Sequence, residues 1–221
     1  RSCSLQRRNQ KILEEAPAPA LDPDVRDALL SAALRLATRI GYENAGTVEF
    51  VLDRDTGEFF FLEMNTRIQV EHPVTELVTG IDLVQQQLRI AAGEPISISQ
   101  SDVAPRGHAV ECRITAERPE DGFRPEAGRI AVWEPPGGPN VRIDTHCFAG
   151  YTVPVHYDSL LAKIIVYGRT RGEALARMRS ALGRFTVAGV STTIDFLFYL
   201  VGRSEVAEAR MTTHTIADVL G

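Results

Sequence analysis

Two apolar, aromatic-rich runs, residues 46–52 and 59–65, flank the turn sequence Asp53-Arg54-Asp55-Thr56-Gly57. Runs of this length and content around a glycine-bearing turn predict an antiparallel hairpin. Strand side chains alternate between faces, so Thr47, Glu49 and Val51 share one face, as do Phe61, Glu63 and Asn65. A register that sets residue 52 opposite 60 also sets Glu49 opposite Glu63. Carboxylates so placed, with Cβ atoms roughly 5 Å apart, repel unless a cation lies between them. Glu49, Glu63 and the Asn65 amide oxygen form a hard-oxygen set suited to Mg²⁺ or Mn²⁺, and Mg²⁺ usually fills its shell with water and phosphate oxygens. The pattern therefore asks for a nucleotide. The alternative is a solvated acidic face in another register.

Around this hairpin the chain reads as α+β, with an antiparallel sheet and flanking helices rather than a nucleotide-binding parallel sheet. Residues 1–15 are polar and basic with a strand-like start, and Ala16-Pro17-Ala18-Pro19-Ala20 is an extended connector. Asp22-Pro23 opens the clearest helix, whose apolar stripe runs from Val25 to Ile40 before Gly41. Shorter helices are expected over 74–79 and from an Asp82 cap to Ala92. A boundary near 98–106 divides the chain into segments 1–98 and 106–217. Beyond it, strands are expected at 108–116, 128–134, 140–146 and 160–167, then helices at 171–184 and 191–202 and a short polar tail. No GxGxxG, GxxxxGK[ST] or HExxH occurs.

Lys plus Arg number 24 against 29 Asp plus Glu, a net charge of −5 that argues against a nucleic-acid-coating protein. Three cysteines among 221 residues are too few and too scattered for a disulfide framework or a Cys-based zinc site. No apolar run is long enough to span a membrane, and the basic opening is not a signal peptide. The expectation is a cytoplasmic protein, and the lack of an initiator Met suggests a fragment.

Directly after the second strand, Glu63-Met64-Asn65-Thr66-Arg67-Ile68-Gln69-Val70-Glu71-His72-Pro73-Val74-Thr75-Glu76 crowds Glu, Asn, Arg, Gln and His together. Taken alone, Arg67 with Glu71 reads equally as an ion pair, Arg113 as a partner of Glu111 on one strand face, and Lys11 as a solvated cation. His72 reads as structural, Cys112 as a core thiol with Val110 and Ile114, and Trp133 as packing. Cys3 carries no signal for a lowered pKa.

This segment resembles the active-site segment of biotin carboxylase, the ATP-grasp component of biotin-dependent carboxylases such as acetyl-CoA or propionyl-CoA carboxylase. Three further stretches extend the resemblance across nearly the whole chain: Cys3-Ser4-Leu5-Gln6-Arg7-Arg8-Asn9-Gln10-Lys11, Gly107-His108-Ala109-Val110-Glu111-Cys112-Arg113-Ile114, and Ala149-Gly150-Tyr151-Thr152-Val153-Pro154 with Tyr157-Asp158-Ser159. The resemblance implies that Glu49, Glu63 and Asn65 ligate the divalent ion holding the ATP phosphates. It implies Glu71 as the base that deprotonates bicarbonate, Arg67 as the bicarbonate anchor and Arg113 as the cation beside the biotin enolate. Lys11 and Gln6 then contact bicarbonate or nucleotide, Asn9 and Gln10 lie by the nucleotide, and His214 lies near the adenine. Biotin on a carrier protein or domain, a carboxyltransferase and a homodimer partner through residues 137–144, with Arg142 a contact, are implied as well.

The family usually reads Arg-Asp-Cys-Ser and Arg-His-Gln-Lys where this chain has Arg1-Ser2-Cys3-Ser4 and Arg8-Asn9-Gln10-Lys11, so Asn9 keeps an amide and loses a titratable ring. The family's N-terminal domain and glycine-rich lid have no counterpart here. Turnover by the chain alone is not expected, and its opening strand is expected to lack a hairpin partner. Two other readings stand beside this one: another ATP-grasp ligase of the carbamoyl-phosphate synthetase type, and a non-catalytic dimerisation or docking module.

Overall fold

Strand β5 (His108–Thr115) organises the molecule because both of its faces are buried. A computed structural model describes residues 1–220. It contains β1 (Ser2–Arg7), β2 (Gln10–Ala16), α1 (Pro23–Arg39), β3 (Thr47–Leu52), β4 (Phe59–Asn65), α2 (His72–Thr79), α3 (Leu83–Ala91), β5, β6 (Val141–Thr145), β7 (Leu160–Gly168), α4 (Arg171–Leu182) and α5 (Ile194–Val201), with shorter pieces between. β1, β2, β5, β7 and β6 form one antiparallel sheet in that order, so strands from both sides of residues 98–106 share a sheet.

Alternation along β5 sorts its side chains. Val110, Cys112 and Ile114 join Ile164 and Val166 of β7 against Met178 and Leu182 of α4 and Leu197 of α5. Each of the large aliphatic side chains here contributes about 1.5–3 kcal/mol by leaving water. On the other face, Ala16, Ala109 and Ile165 meet Val74 and Val78 of α2. Small residues on the strands let α2 sit close, and the polar row Glu14, Glu111, Arg113 continues along that same face. Cys112 is fully buried, and Trp133 packs edge-on against Phe185 with ring centroids 5.0 Å apart.

Four expectations are corrected. β1 has a hairpin partner, β2, through a tight turn whose Arg8 and Asn9 both adopt positive φ (48° and 64°). Asn tolerates that conformation better than most residues, which gives Asn9 a local reason to be there. In the β3–β4 hairpin Glu49 does face Glu63, but Leu52 faces Phe59 rather than residue 60. The cause is a bulge: Phe61 faces Phe50, so Leu62 is an extra residue, and regular alternation between Phe61 and Glu63 is broken. The strand expected at 128–134 is two short ones, Gly128–Arg129 and Val132–Glu134, paired to different partners. The polar tail contains two short helices, Ser204–Ala207 and Thr215–Leu220, whose Val206 and Ile216 fill the main core.

Helix α1 forms as the sequence predicts. The Asp22 side chain accepts from the backbone N–H of Asp24 and Val25, Pro23 sits in the first turn, and Gly41 follows at φ +62°. None of its residues is buried, and Leu30 and Leu34 face solvent.

Candidate active site

The acidic hairpin is held by its own turn. Asp53 Oδ1 accepts from the Asp55 and Thr56 backbone N–H groups, and Gly57 N–H donates to Asp53 O at 2.9 Å. This fixes Glu49 against Glu63, and the Asn65 amide bridges them, donating from Nδ2 to Glu49 Oε1 at 3.2 Å and to Glu63 Oε1 at 2.8 Å. Among the described residues no group of three or more His, Cys, Asp or Glu is set to hold a metal. The two carboxylates still fit Mg²⁺, which usually takes only one or two protein carboxylates, while Asn65 presents its N–H groups to them and its Oδ1 to Arg67.

Residues 66–71 then carry the chain from the hairpin into α2. Glu71 occupies the N-cap position of that helix, yet its side chain makes no capping hydrogen bond. It turns instead to the sheet, where it is only 2% exposed. Lys11 Nζ donates to Glu71 Oε1 at 2.7 Å, and Arg113 Nη2 donates to Glu71 Oε2 at 3.0 Å. Lys11 also donates to Glu49 Oε1 at 2.8 Å, so one ammonium joins the hairpin carboxylate to the helix-cap carboxylate. Gln69 Nε2 donates to the same Glu49 oxygen, and Gln69 Oε1 accepts from Arg1 Nη2 at 3.1 Å. Behind Arg113, Glu14 Oε1 accepts from Nε at 2.7 Å. The charges alternate in one line: Glu49, Lys11, Glu71, Arg113, Glu14.

Electrostatics follow from that line. Burial pushes Glu71 up, but the Lys11 hydrogen bond and charge more than offset it, so Glu71 is held below the usual glutamate value and is ionised at neutral pH. Burial works against the charges of Lys11 and Arg113, and the acidic groups around each outweigh it and raise both. Burial, with Glu14 and Glu71 nearby, pushes the Cys3 thiol to about 12; it lies 3.7 Å from Glu71 Oε1 and stays protonated.

Two suggested ion pairs are corrected. Arg113 pairs with Glu14 and Glu71 rather than Glu111, because both partners approach from outside its own strand. Arg67 does not pair with Glu71; it donates to Asn65 Oδ1 at 3.2 Å and to Ile68 O at 3.1 Å and is exposed. Lys11 is no free surface cation, having two carboxylate partners. His72 is tied locally, its Nδ1 2.9 Å from Gln69 O.

Four expected positions are not part of this line. Gln6 faces Lys11 across the β1–β2 hairpin, Gln10 faces Arg7, and Asn9 is exposed in the turn. His214 is exposed, its backbone N–H donating to Thr212 Oγ1 and its carbonyl accepting from Asp218 N–H. Among the described residues no side-chain hydrogen bond joins Gln6, Asn9, Gln10 or His214 to the cluster. Sequence reasoning missed Gln69 and Glu14. Two adjacent glutamates after the apolar run Ile12-Leu13 were the available signal for Glu14, since neighbours on a strand point to opposite faces and both faces of β2 are buried here.

This fold belongs to the ATP-grasp class. The model for the family described as "Carbamoyl-phosphate synthase L chain, ATP binding domain" matches residues 1–99, and that for "Biotin carboxylase C-terminal domain" matches 111–218. The chain is 51% identical over 219 residues to a biotin carboxylase of Nostoc sp., covering 99% of this chain and 49% of that protein. It is 48% identical to a pyruvate carboxylase subunit of Methanothermobacter thermautotrophicus, covering 98% of this chain and 44% of the other. A crystal structure of the biotin carboxylase domain dimer of Hydrogenobacter thermophilus 2-oxoglutarate carboxylase, in complex with MgADP, ADP and bicarbonate, superposes with a TM-score of 0.95 at 45% identity, covering 98% of this chain and 48% of that one. The chain belongs to the biotin carboxylase family. It spans about half the length of the relatives it matches.

Proposed function

We propose that this chain supplies the bicarbonate-activating and biotin-facing side chains of an enzyme that carboxylates carrier-bound biotin with MgATP and bicarbonate. The observation that carries this is the placement of Glu71, a buried, ionised carboxylate held between Lys11 and Arg113 and linked through Lys11 to the acidic hairpin. Residues 1–98 would contribute the hairpin, Lys11 and Glu71, and residues 106–217 would contribute Arg113.

Bicarbonate is a poor nucleophile until it loses its proton. Glu71, ionised and inaccessible to bulk water, takes that proton within hydrogen-bond reach. Arg67, exposed beside the acidic hairpin, holds the anion, and Lys11 neutralises charge where nucleotide oxygens approach Glu49. Glu49 and Glu63, with Asn65 once its amide oxygen is turned toward them, would hold the divalent ion, which would offset the charge of the phosphates. Transfer of the terminal phosphoryl group to bicarbonate gives carboxyphosphate, which breaks into CO₂ and phosphate. Phosphate removes the proton from N1 of biotin, and Arg113 stabilises the enolate oxygen. An arginine suits this because it stays charged in a closed site. Gln6, Asn9, Gln10 and His214 are assigned to the nucleotide side.

A homodimer through residues 137–144 is supported by the position of β6 at the open edge of the sheet, where Arg142 is already oriented by Glu76 and Asp144. Sedimentation as a concentration-independent monomer would contradict it. The relatives carboxylate different acceptors, as the names pyruvate and 2-oxoglutarate carboxylase state, so acetyl-CoA is one acceptor among several. Isothermal calorimetry of MgATP on this chain tests the nucleotide side: Glu49→Gln and Glu63→Gln should weaken Mg²⁺-dependent binding. Binding indifferent to Mg²⁺ and to both substitutions would remove the metal assignment.

A further inference from the structure

We propose that Glu14 and Glu111 hold one proton between them, and that Glu14, within that pair, is the positioning residue for the Arg113 guanidinium. The two glutamates are direct register partners across β2 and β5, and neither has exposed surface. Glu14 Oε1 receives the Arg113 Nε–H, whereas Glu14 Oε2 and both Glu111 oxygens meet no donor among the described residues. Ionised carboxylates only accept, so two ionised glutamates cannot satisfy one another. One proton changes that: the O–H of Glu111 donates to Glu14 Oε2, and the pair keeps a single negative charge for Arg113 to balance.

The surroundings offer no other solution. Lys11 of β2 is committed to Glu49 and Glu71, and Lys163 of β7 to the Val70 carbonyl at 2.9 Å and Asp144 of β6 at 3.1 Å. Cys3 of β1 and Glu71 before α2 add no positive charge, and in α2 His72 and Glu76 face each other and Arg142. His108 and Arg171 engage Glu15 on the opposite face. Two opposed, buried carboxylates cannot both ionise cheaply. Accordingly, burial and the neighbouring Glu14 push Glu111 well above the usual glutamate value, and burial pushes Glu14 to about 7 against the pull of Arg113.

The consequence is geometric. Glu14 grips one edge of the guanidinium, Glu71 takes Nη2, and Nη1 makes no hydrogen bond among the described residues. That nitrogen is left to point at a substrate oxygen. The role of Arg113 rests on the preceding functional reading, but the shared proton does not.

Infrared spectroscopy of this chain, without nucleotide or biotin, tests the proton first. At about pH 6.5, well above the ordinary glutamate value of 4.5, the folded wild type should show a protonated-carboxyl stretch that urea abolishes and Glu111→Gln removes. The folded pair binds its proton more tightly than the unfolded chain. Wild-type stability should therefore fall as pH rises from about 4.5 through the folded-state value, a slope Glu111→Gln lacks. The Arg113 Nε–H resonance should shift in Glu14→Gln and stay in place in Glu111→Gln, whose amide N–H replaces the O–H. Absence of the protonated band in the folded wild type, or an Arg113 resonance unmoved by Glu14→Gln, would overturn the proposal. The first readout needs no variant, and neither depends on catalysis.

Discussion

Arg113 shows how much of this site depends on contacts that sequence distance conceals. Its partners Glu14 and Glu71 lie 99 and 42 residues away along the chain. Strand alternation put Glu111 and Arg113 on one face correctly, but alternation says nothing about what arrives from a neighbouring strand or a helix cap. Removing Arg113 leaves two buried carboxylates without their shared cation. Arg113→Met should therefore cost about 3–5 kcal/mol in urea unfolding, as breaking a buried ion pair does. A loss below about 1 kcal/mol would mean that water already screens the pair. Acid acts through other groups. Glu71 and Glu15 are buried, yet their cationic partners outweigh burial and lower both. Their stabilisation is complete above the unfolded value of 4.5 and is lost as pH falls through the folded value. Thermal stability should drop below about pH 4.5, and Glu15→Gln should flatten that drop.

Among the elements, the hairpin was legible because alternation and turn chemistry agree there, and Glu49 faces Glu63 as the sequence predicts. The Leu62 bulge was not legible, since one extra residue leaves the apolar pattern of Phe59-Phe60-Phe61-Leu62 unchanged. The hairpin of β1 and β2 was missed for the opposite reason: Arg8-Asn9 lacks the glycine that usually announces so tight a turn. Helix α1 was the easiest element to read, with cap, proline and stripe in order. Its stripe did not reveal that none of its residues is buried. Asp22→Ala should weaken the helix by ~1 kcal/mol. Because α1 contributes nothing buried to the core, hydrogen exchange should accelerate within Pro23–Arg39 while the global melting temperature stays nearly constant. A global shift of several degrees would show that α1 is coupled to the sheet.

For the molecule as a whole, apolar surface is unevenly distributed. The five-stranded sheet is sealed by α4 and α5 on one face and α2 on the other. Leu30 and Leu34 of α1 and Phe60, Phe61 and Leu62 of β4 are each more than half exposed. Exposed clusters of this kind predict binding of a hydrophobic dye by the native chain, reduced in a Leu34→Lys, Phe61→Lys variant without loss of the sheet's thermal transition.

Glu71, set between Lys11 and Arg113, stands at the centre as the proposed base of a biotin-carboxylating site. Phosphate release from MgATP with bicarbonate tests that role most directly, using this chain completed to the full length of its relatives, with and without free biotin. Biotin-stimulated release, falling by at least about 100-fold in Glu71→Gln as loss of a general base demands, is the predicted result. Release that ignores biotin, or that survives Glu71→Gln in a folded protein, would contradict the assignment; stimulation by an ammonia source instead would point to a carbamoyl-phosphate-type ligase.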